Sequence, residues 1–344
     1  MKSAFYSTFC GILAVSRVCA APSFKLAVSE YPSWSLFLTA HDLGMIDMNE
    51  GAMGPIEKKW DVDIVLVETD YDTCITLYGS GQADAACLTN MDSLAPSLQI
   101  PSVAILPTST SDGADQCIVS NQYKNLEDLV GVPVYGLENS VSQYLFDRFV
   151  EEQGRSPDEF DFTMMDPAAA STAFLQGKLD AIVVWNPFCL EIKSQSPAAS
   201  TLFSSKVIPN EIIDMVTMSR KSLEKEGGDR FASAIADTYY TFCGLLDNSE
   251  TRDAALEALG QRFSKLDLEE MEIIVKETRF FSTPQQAREL FRGDEIQATM
   301  VKVTDFCVKQ GIVERAPSLA FGDPEGDSDL AFSTEYIDVV ADQK

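Results

Sequence analysis

Two tryptophans, a tyrosine, three acids, two amides and two serines fall at places in this chain where they could hold a small molecule. "SEYPSW" carries Glu30, Tyr31 and Trp34, "ETDYD" carries Asp70 and Tyr71, and "TNMDS" carries Thr89, Asn90 and Asp92. "TSTSDG" adds Thr108, Ser109 and Thr110, and "GLENSVS" adds Glu138, Asn139, Ser140 and Ser142. "DAIVVWNPF" ends an apolar run in Trp185 and Asn186, and Pro187 then stops any strand ladder. Acids beside indole and phenol rings suit a cationic or amide-like ligand. Carboxylates accept charge-assisted hydrogen bonds from N–H groups, and ring faces attract positive charge. None of these stretches contains Arg or Lys, the usual anchor for nitrate, sulfonate or phosphate, although a helix N-terminus at Ser140 would supply partial positive charge. Each residue alone also has a plain structural reading. Asp92, Asn139 and Ser140 serve equally as helix caps, Trp34 and Tyr71 as core, and Glu30 and Asp70 as solvated acids.

The elements that would position these residues alternate short apolar runs with amphipathic stretches, which predicts an α/β fold with a largely parallel sheet. Strands are expected at Lys25–Val28, Asp63–Val67, Ala85–Leu88 and Val103–Leu106, then at Gln116–Val119, Pro133–Tyr135, Phe160–Met164 and Ala181–Val184. Helical stretches lie between them, at Ser33–Leu43, Asp72–Gly79 and Asp92–Leu98 in the first set. The second set has Asn125–Leu129, Ser140–Gln153 and Ala168–Gln176. Every candidate stretch but "TSTSDG" follows a strand, and in open α/β sheets ligands sit outside the carboxyl ends of strands. Ser140 and Gln143 read as a capping box, and Gly154 as the helix stop. From Arg220 the pattern is almost wholly helical, with Thr283 capping and Pro284 opening one helix.

Two similar sets followed by helices predict two lobes, the second inserted in the first, with turn-rich crossings at Thr108–Asp115 and Pro197–Asn210. The expected division is residues 1–20 as an export signal, 21–109 and 210–315 as lobe 1, 110–209 as lobe 2, and 316–344 as an acidic, loosely packed tail. Two crossings form a hinge, and a cleft between lobes is a natural ligand site. The "GDPEGDSD" run in the tail places its glycines wrongly for a calcium loop.

The opening residues carry Lys2, an apolar run from Ala4 to Val15, and small residues before Ala21, as in a secretory signal. Cys19 lacks the small-residue approach of a lipoprotein anchor. No other segment is apolar enough to cross a membrane, so an exported, periplasmic protein is expected. The chain has 26 basic and 53 acidic residues, a formal charge of −27, and loss of Lys2 and Arg17 with the signal makes it more negative still. This argues against nucleic acid or anionic membrane as partner. Cys74, Cys87, Cys117, Cys189, Cys243 and Cys307 show no CxxC spacing, and the one histidine, His41, has no acidic pair at ligand spacing. No metal, cofactor or catalytic group is expected, and neither zinc nor a Ser–His–Asp triad fits.

"AACLTNMDSLAPS", "GLENSVSQYLFDR" and "AIVVWNPF" resemble the substrate-binding proteins of nitrate/sulfonate/taurine-type ABC transporters. The likeness is strongest to a branch associated with urea and guanidine, whose members carry a similar Asp-Tyr, Thr-Asn-Met-Asp, Glu-x-Ser-Val-Ser and Trp-Asn-Pro. It covers Phe24 to Ile192 well and the helical remainder in outline. The resemblance implies a two-lobed type II periplasmic-binding-protein clamp, a monomer that delivers solute to an ABC permease and its ATPase subunits. It also implies a cleft lined by Trp34, Asp70, Tyr71, Asn90, Asp92, Glu138, Ser140, Ser142, Trp185 and Asn186. The expected solute is small, polar and nitrogen-rich, such as guanidine, urea or an amine. The alternatives are a sulfonate, nitrate or pyrimidine-precursor binder, a sensor using the same clamp, or an enzyme of the related pyrimidine-precursor synthase type. That enzyme type depends on a histidine-rich site, which a single His41 does not supply.

Overall fold

The computed structural model describes residues 20–322 and 326–343. The expected signal segment falls almost entirely outside the described residues, as does part of the "GDPEGDSD" run. Among the described residues no helix is long and apolar enough to cross a membrane.

Thirteen described strands form two sheets. They are β1 (Ser23–Val28), β2 (Asp63–Glu68), β3 (Ala85–Thr89), β4 (Ser102–Ser111), β5 (Asp115–Ser120), β6 (Val134–Gly136), β7 (Phe162–Met164), β8 (Ala181–Trp185), β9 (Ala199–Ser204), β10 (Ile213–Ser219), β11 (Thr278–Phe280), β12 (Leu319–Gly322) and β13 (Leu330–Ser333). The first sheet runs β12-β13-β4-β10-β3-β1-β2, with β11 also on β4, and the second runs β7-β6-β8-β5-β9. All eight predicted strands are present, within a few residues at each end. The sheets are mixed rather than largely parallel. β10 is antiparallel to both β3 and β4, and β5 to both β8 and β9. β5 and β10 are the strands entered by the chain where it passes between lobes, and the short β11 is also antiparallel to β4.

Both crossings are shorter than the composition suggested. Thr108–Ser111 continues β4, pairing with β10 and β11, so the outward crossing narrows to residues 112–114. The hydroxyl-rich stretch reads as turn, yet its β-branched threonine backbones suit a pleated surface. Its buried hydroxyls are satisfied: Thr108 meets Ser33, Ser109 donates to Asp214, and Thr110 donates to the Ile212 carbonyl. Gly113 turns the chain at φ +111°, where a side chain would be strained and would also meet Lys206. On the return, Ala199–Ser204 is strand β9, which leaves residues 205–212 as the second crossing.

The first sheet is covered by the predicted helices, and Gly228–Asp247 is the largest. Its Phe231, Ile235, Tyr239 and Phe242 repeat at helical spacing and are fully buried, Phe231 stacking on Phe24 of β1 at 5.0 Å. Burial of each such side chain contributes about 1.5–3 kcal/mol. The tail is not a loose strap. β13 pairs with β4 and β12 with β13, and helix Glu335–Ala341 buries Ile337 and Val340 against lobe 1. Leu330, Phe332, Ile337 and Val340 are the apolar residues that outweigh the acidic composition there.

Candidate functional site

Ser140 illustrates how the sequence builds the cleft. Its Oγ accepts from the Ser142 N–H and caps helix Val141–Glu152, while Gln143 reaches the Asn139 N–H rather than Ser140 itself. The helix therefore starts at the cleft, and Ser140 and Val141 line it. From lobe 1 the loop after β1 and the helix Pro32–Asp42 bring Ser29, Glu30, Tyr31 and Trp34 to the same place. Tyr71 arrives from the first position of helix Tyr71–Gly79 and Trp185 from the last position of β8.

These rings form a wall. Tyr31 lies 5.0 Å from Trp34, Trp34 stacks on Tyr71 at 5.5 Å and 18°, and Tyr71 meets Trp185 edge-on at 6.4 Å across the lobes. Tyr71 is held by its hydroxyl, which donates to Asp92 Oδ2 at 2.7 Å and accepts from the Thr89 N–H at 3.0 Å. Asp92 also accepts from the Thr89 hydroxyl at 2.8 Å. Burial raises the Asp92 carboxyl to about 6 in spite of these two donors.

Two further acids close the inner end. Asp115 opens β5 just past the crossing, and Asp214 stands in β10 as the one acid in an otherwise uncharged, fully buried strand. Both line the inner cavity, a space of about 30 Å³, room for about two or three water-sized groups. Asp214 accepts from Ser109 at 2.5 Å, and Ser109 in turn meets Ser33. Asp115 Oδ2 is buried without a hydrogen-bond partner, as are the Trp34 indole N–H and the Tyr31 hydroxyl. Burial raises the Asp115 carboxyl to about 6, with the Asp92 charge adding to the shift, and holds the Asp214 carboxyl well above its ordinary range, the Asp115 charge adding to it. Desolvated acids and unpaired polar atoms carry a free-energy cost that a ligand with positive charge or N–H donors would relieve.

A wider outer cavity of about 390 Å³ shares Ser29, Glu30, Tyr71 and Trp185 with the inner one. Asp70 lines it and caps helix Tyr71–Gly79 through the Thr73 N–H. Neither cavity has Lys or Arg among its described lining residues.

The sequence-predicted residues therefore divide. Trp34, Tyr71, Ser140 and Trp185 line the inner cavity, and Asp70 lines the outer. Asn90, Asp92, Glu138, Ser142 and Asn186 line neither. Asn90 locks the return crossing, its amide donating to the Glu211 carbonyl and accepting from the Ile213 N–H. Asp92 stands behind Tyr71. Glu138 accepts from the Met164 N–H at 2.9 Å on the lobe 2 surface. Ser142 is buried with its hydroxyl unpaired. Asn186 donates to Glu277 Oε2 at 2.8 Å, tying β8 to lobe 1 beside a cis bond to Pro187. Asp115, Asp214 and Ile212 were missed. The detectable signal for Asp214 was a lone acid within the mostly apolar run "IIDMVTMS".

Solved structures share this architecture. The alkanesulfonate-binding protein SsuA from Xanthomonas axonopodis pv. citri, bound to MOPS, superimposes with a TM-score of 0.68 at 16% identity, covering 87% of this chain and 96% of that one. The periplasmic aliphatic sulphonate binding protein SsuA from Escherichia coli gives 0.67 at 16% identity over 86% and 89%. The periplasmic nitrate-binding protein NrtA from Synechocystis PCC 6803 gives 0.54 at 13% identity over 73% and 69%. The chain thus has the type II periplasmic-binding-protein fold. No curated protein matches it in sequence. Residues 58–241, more than half of the chain, match the family described as NMT1/THI5 like, and the chain belongs to that family.

Proposed function

We propose that this chain is the exported solute-binding subunit of an ABC importer and that its inner cavity takes a small cation or N–H-rich solute of the guanidine, urea or amine class. The observation that carries the ligand reading is Asp115: a buried carboxylate with an unpaired oxygen, facing a cavity walled by Tyr31, Trp34, Tyr71 and Trp185. Asp214 adds a second buried acid to the wall, and no basic side chain lines the space among the described residues. A cation placed there gains Coulomb attraction in a dry setting and ring-face attraction together. The proteins of like fold are named for sulfonate and nitrate, both anions. An anion in this cavity would face the Asp115 carboxylate, and like charges at such range cost several kcal/mol. The resemblance of "TNMD" and "WNPF" to the urea- and guanidine-associated branch points the same way.

Trp185 and Ser140 come from lobe 2 and the other walls mostly from lobe 1, so a solute held between them favours the closed arrangement of the clamp. The enzyme reading finds no support in the cavity. His41 lies outside it, its Nδ1 accepting from the Met48 N–H at 3.2 Å. A thermal-shift screen against guanidine, urea, alkylamines, betaine, thiamine precursors, taurine and nitrate tests the proposal. Stabilisation by guanidine, urea or amines is expected. Stabilisation by an anion and by none of the nitrogen bases would refute it. A permease and an ATPase encoded beside this chain would separate uptake from sensing.

A further inference from the structure

The outer cavity bears acids from both lobes. Asp70 and Asp72 come from the start of helix Tyr71–Gly79 in lobe 1, and Asp166 caps helix Pro167–Leu175 in lobe 2. Glu30 and Glu68 complete the rim; Glu30 accepts from Ser264, and Glu68 is paired with Arg262, which also binds Asp42. Asp70 and Asp166 each use one oxygen to cap a helix. The Asp72 carboxyl is raised first by partial burial and then by the charges of Asp70 and Asp166, so repulsion acts across the cleft as well as within one lobe. Closing the lobes brings these like charges together, which opposes closure unless positive charge enters with the ligand. The two cavities are neighbours, with Ser29, Glu30, Tyr71 and Trp185 in the lining of both. Ser29 is 3% exposed, and its hydroxyl has no hydrogen-bond partner.

We propose that the solute is an elongated dication. One positive centre sits among Tyr31, Trp34, Tyr71 and Trp185 against Asp115 and Asp214, and the other sits in the outer cavity, bridging Asp70 and Asp72 of one lobe to Asp166 of the other. This inference rests on the cation reading of the inner cavity and adds to it the number and spacing of charges. A terminal diamine or an aminoalkyl guanidine has the required chemistry. Its inner end loses water to rings and buried acids, and its outer end stays partly solvated among carboxylates.

Calorimetry on the full chain with putrescine and with its one-ammonium counterpart butylamine tests this. Putrescine should bind roughly tenfold more tightly, the scale expected when one partly exposed charge meets several of opposite sign. That advantage should shrink as salt is raised through the physiological range. In the double variant Asp72→Asn, Asp166→Asn the ratio of the two affinities should fall to about one; Asn caps a helix as well as Asp does, and a melting curve checks the fold. Equal affinities in the unaltered chain, or a ratio that the double variant leaves at tenfold, would overturn the dication and leave the cation reading standing. Binding of neither amine, together with binding of an anion, would overturn both.

Discussion

Replacing Asp115 by Asn should make the empty protein more stable while removing its ability to bind. The carboxyl is raised by burial from 3.8 to about 6, roughly two units, which corresponds to about 3 kcal/mol held against the folded state once the group is ionised. The sign follows from linkage. The folded state binds this proton more tightly than the unfolded state, so the wild type loses stability as pH rises from about 4 to 6 and stays at the lower level above that. Asparagine has no charge to desolvate, but its amide must find partners in the same pocket, which returns about 1–2 kcal/mol of the gain. The expected net gain at pH 8 is about 1–2 kcal/mol. For a chain of 344 residues, with an unfolding entropy of about 2 cal/mol/K per residue, that is a rise in Tm of about 1.5–3 °C. At pH 4 the wild-type acid is largely protonated and the two proteins should melt together. Differential scanning calorimetry at the two pH values measures the difference, and titration with a guanidinium or amine solute at pH 8 measures the lost binding. A variant that melts several degrees below wild type at pH 8 would refute the reasoning, because Asp115 would then be a satisfied structural acceptor rather than an unmet counter-charge.

Trp185→Ala should weaken binding by tenfold or more, at about 1.4 kcal/mol per tenfold, with little change in Tm, because the half-buried ring packs on Tyr71 and Phe188 at the cleft edge; calorimetric titration and melting separate the two effects. Tyr71→Phe keeps the ring wall but leaves the Thr89 N–H unmet and Asp92 Oδ2 with one donor fewer, so melting should show a loss of about 1–3 kcal/mol while affinity falls only a few-fold. Glu211→Gln probes the return crossing, where this buried acid accepts from Tyr144, Arg148 and Lys302. Burial raises its carboxyl, but those donors outweigh burial and hold it below its ordinary value. Its contribution, about 1–3 kcal/mol at neutral pH, should therefore be lost as pH falls through the carboxylate range, and wild type and variant should converge in acid melts.

The legible part of the fold was the part written in local pattern. Apolar runs at β1, β2, β3 and β8 and the helical stripe of Gly228–Asp247 are strong signals, and the residues that follow those strands reached the cleft at Trp34, Asp70, Tyr71 and Trp185. The illegible part depends on partners far along the chain. Asn90 and Asn186 have the residue type of ligand contacts, yet Asn90 is spent on Ile213 and Glu211 and Asn186 on Glu277. Nothing near either residue in sequence announces those pairings. Asp115 and Asp214 were overlooked because they stand at the beginning of their strands, just past the crossings, while a search of strand carboxyl ends looks elsewhere. β12 and β13 were overlooked because acidic, Gly- and Pro-rich neighbours mask short apolar strands that exist only when β4 offers an edge.

The central claim is that the cleft selects positive charge. Isothermal titration of the ligand-free protein at pH 8 with methylguanidinium, and separately with ethanesulfonate and nitrate, tests it most directly. The account predicts saturable heat from the cation and none from either anion. Saturable binding of ethanesulfonate or nitrate with no response to methylguanidinium would contradict it.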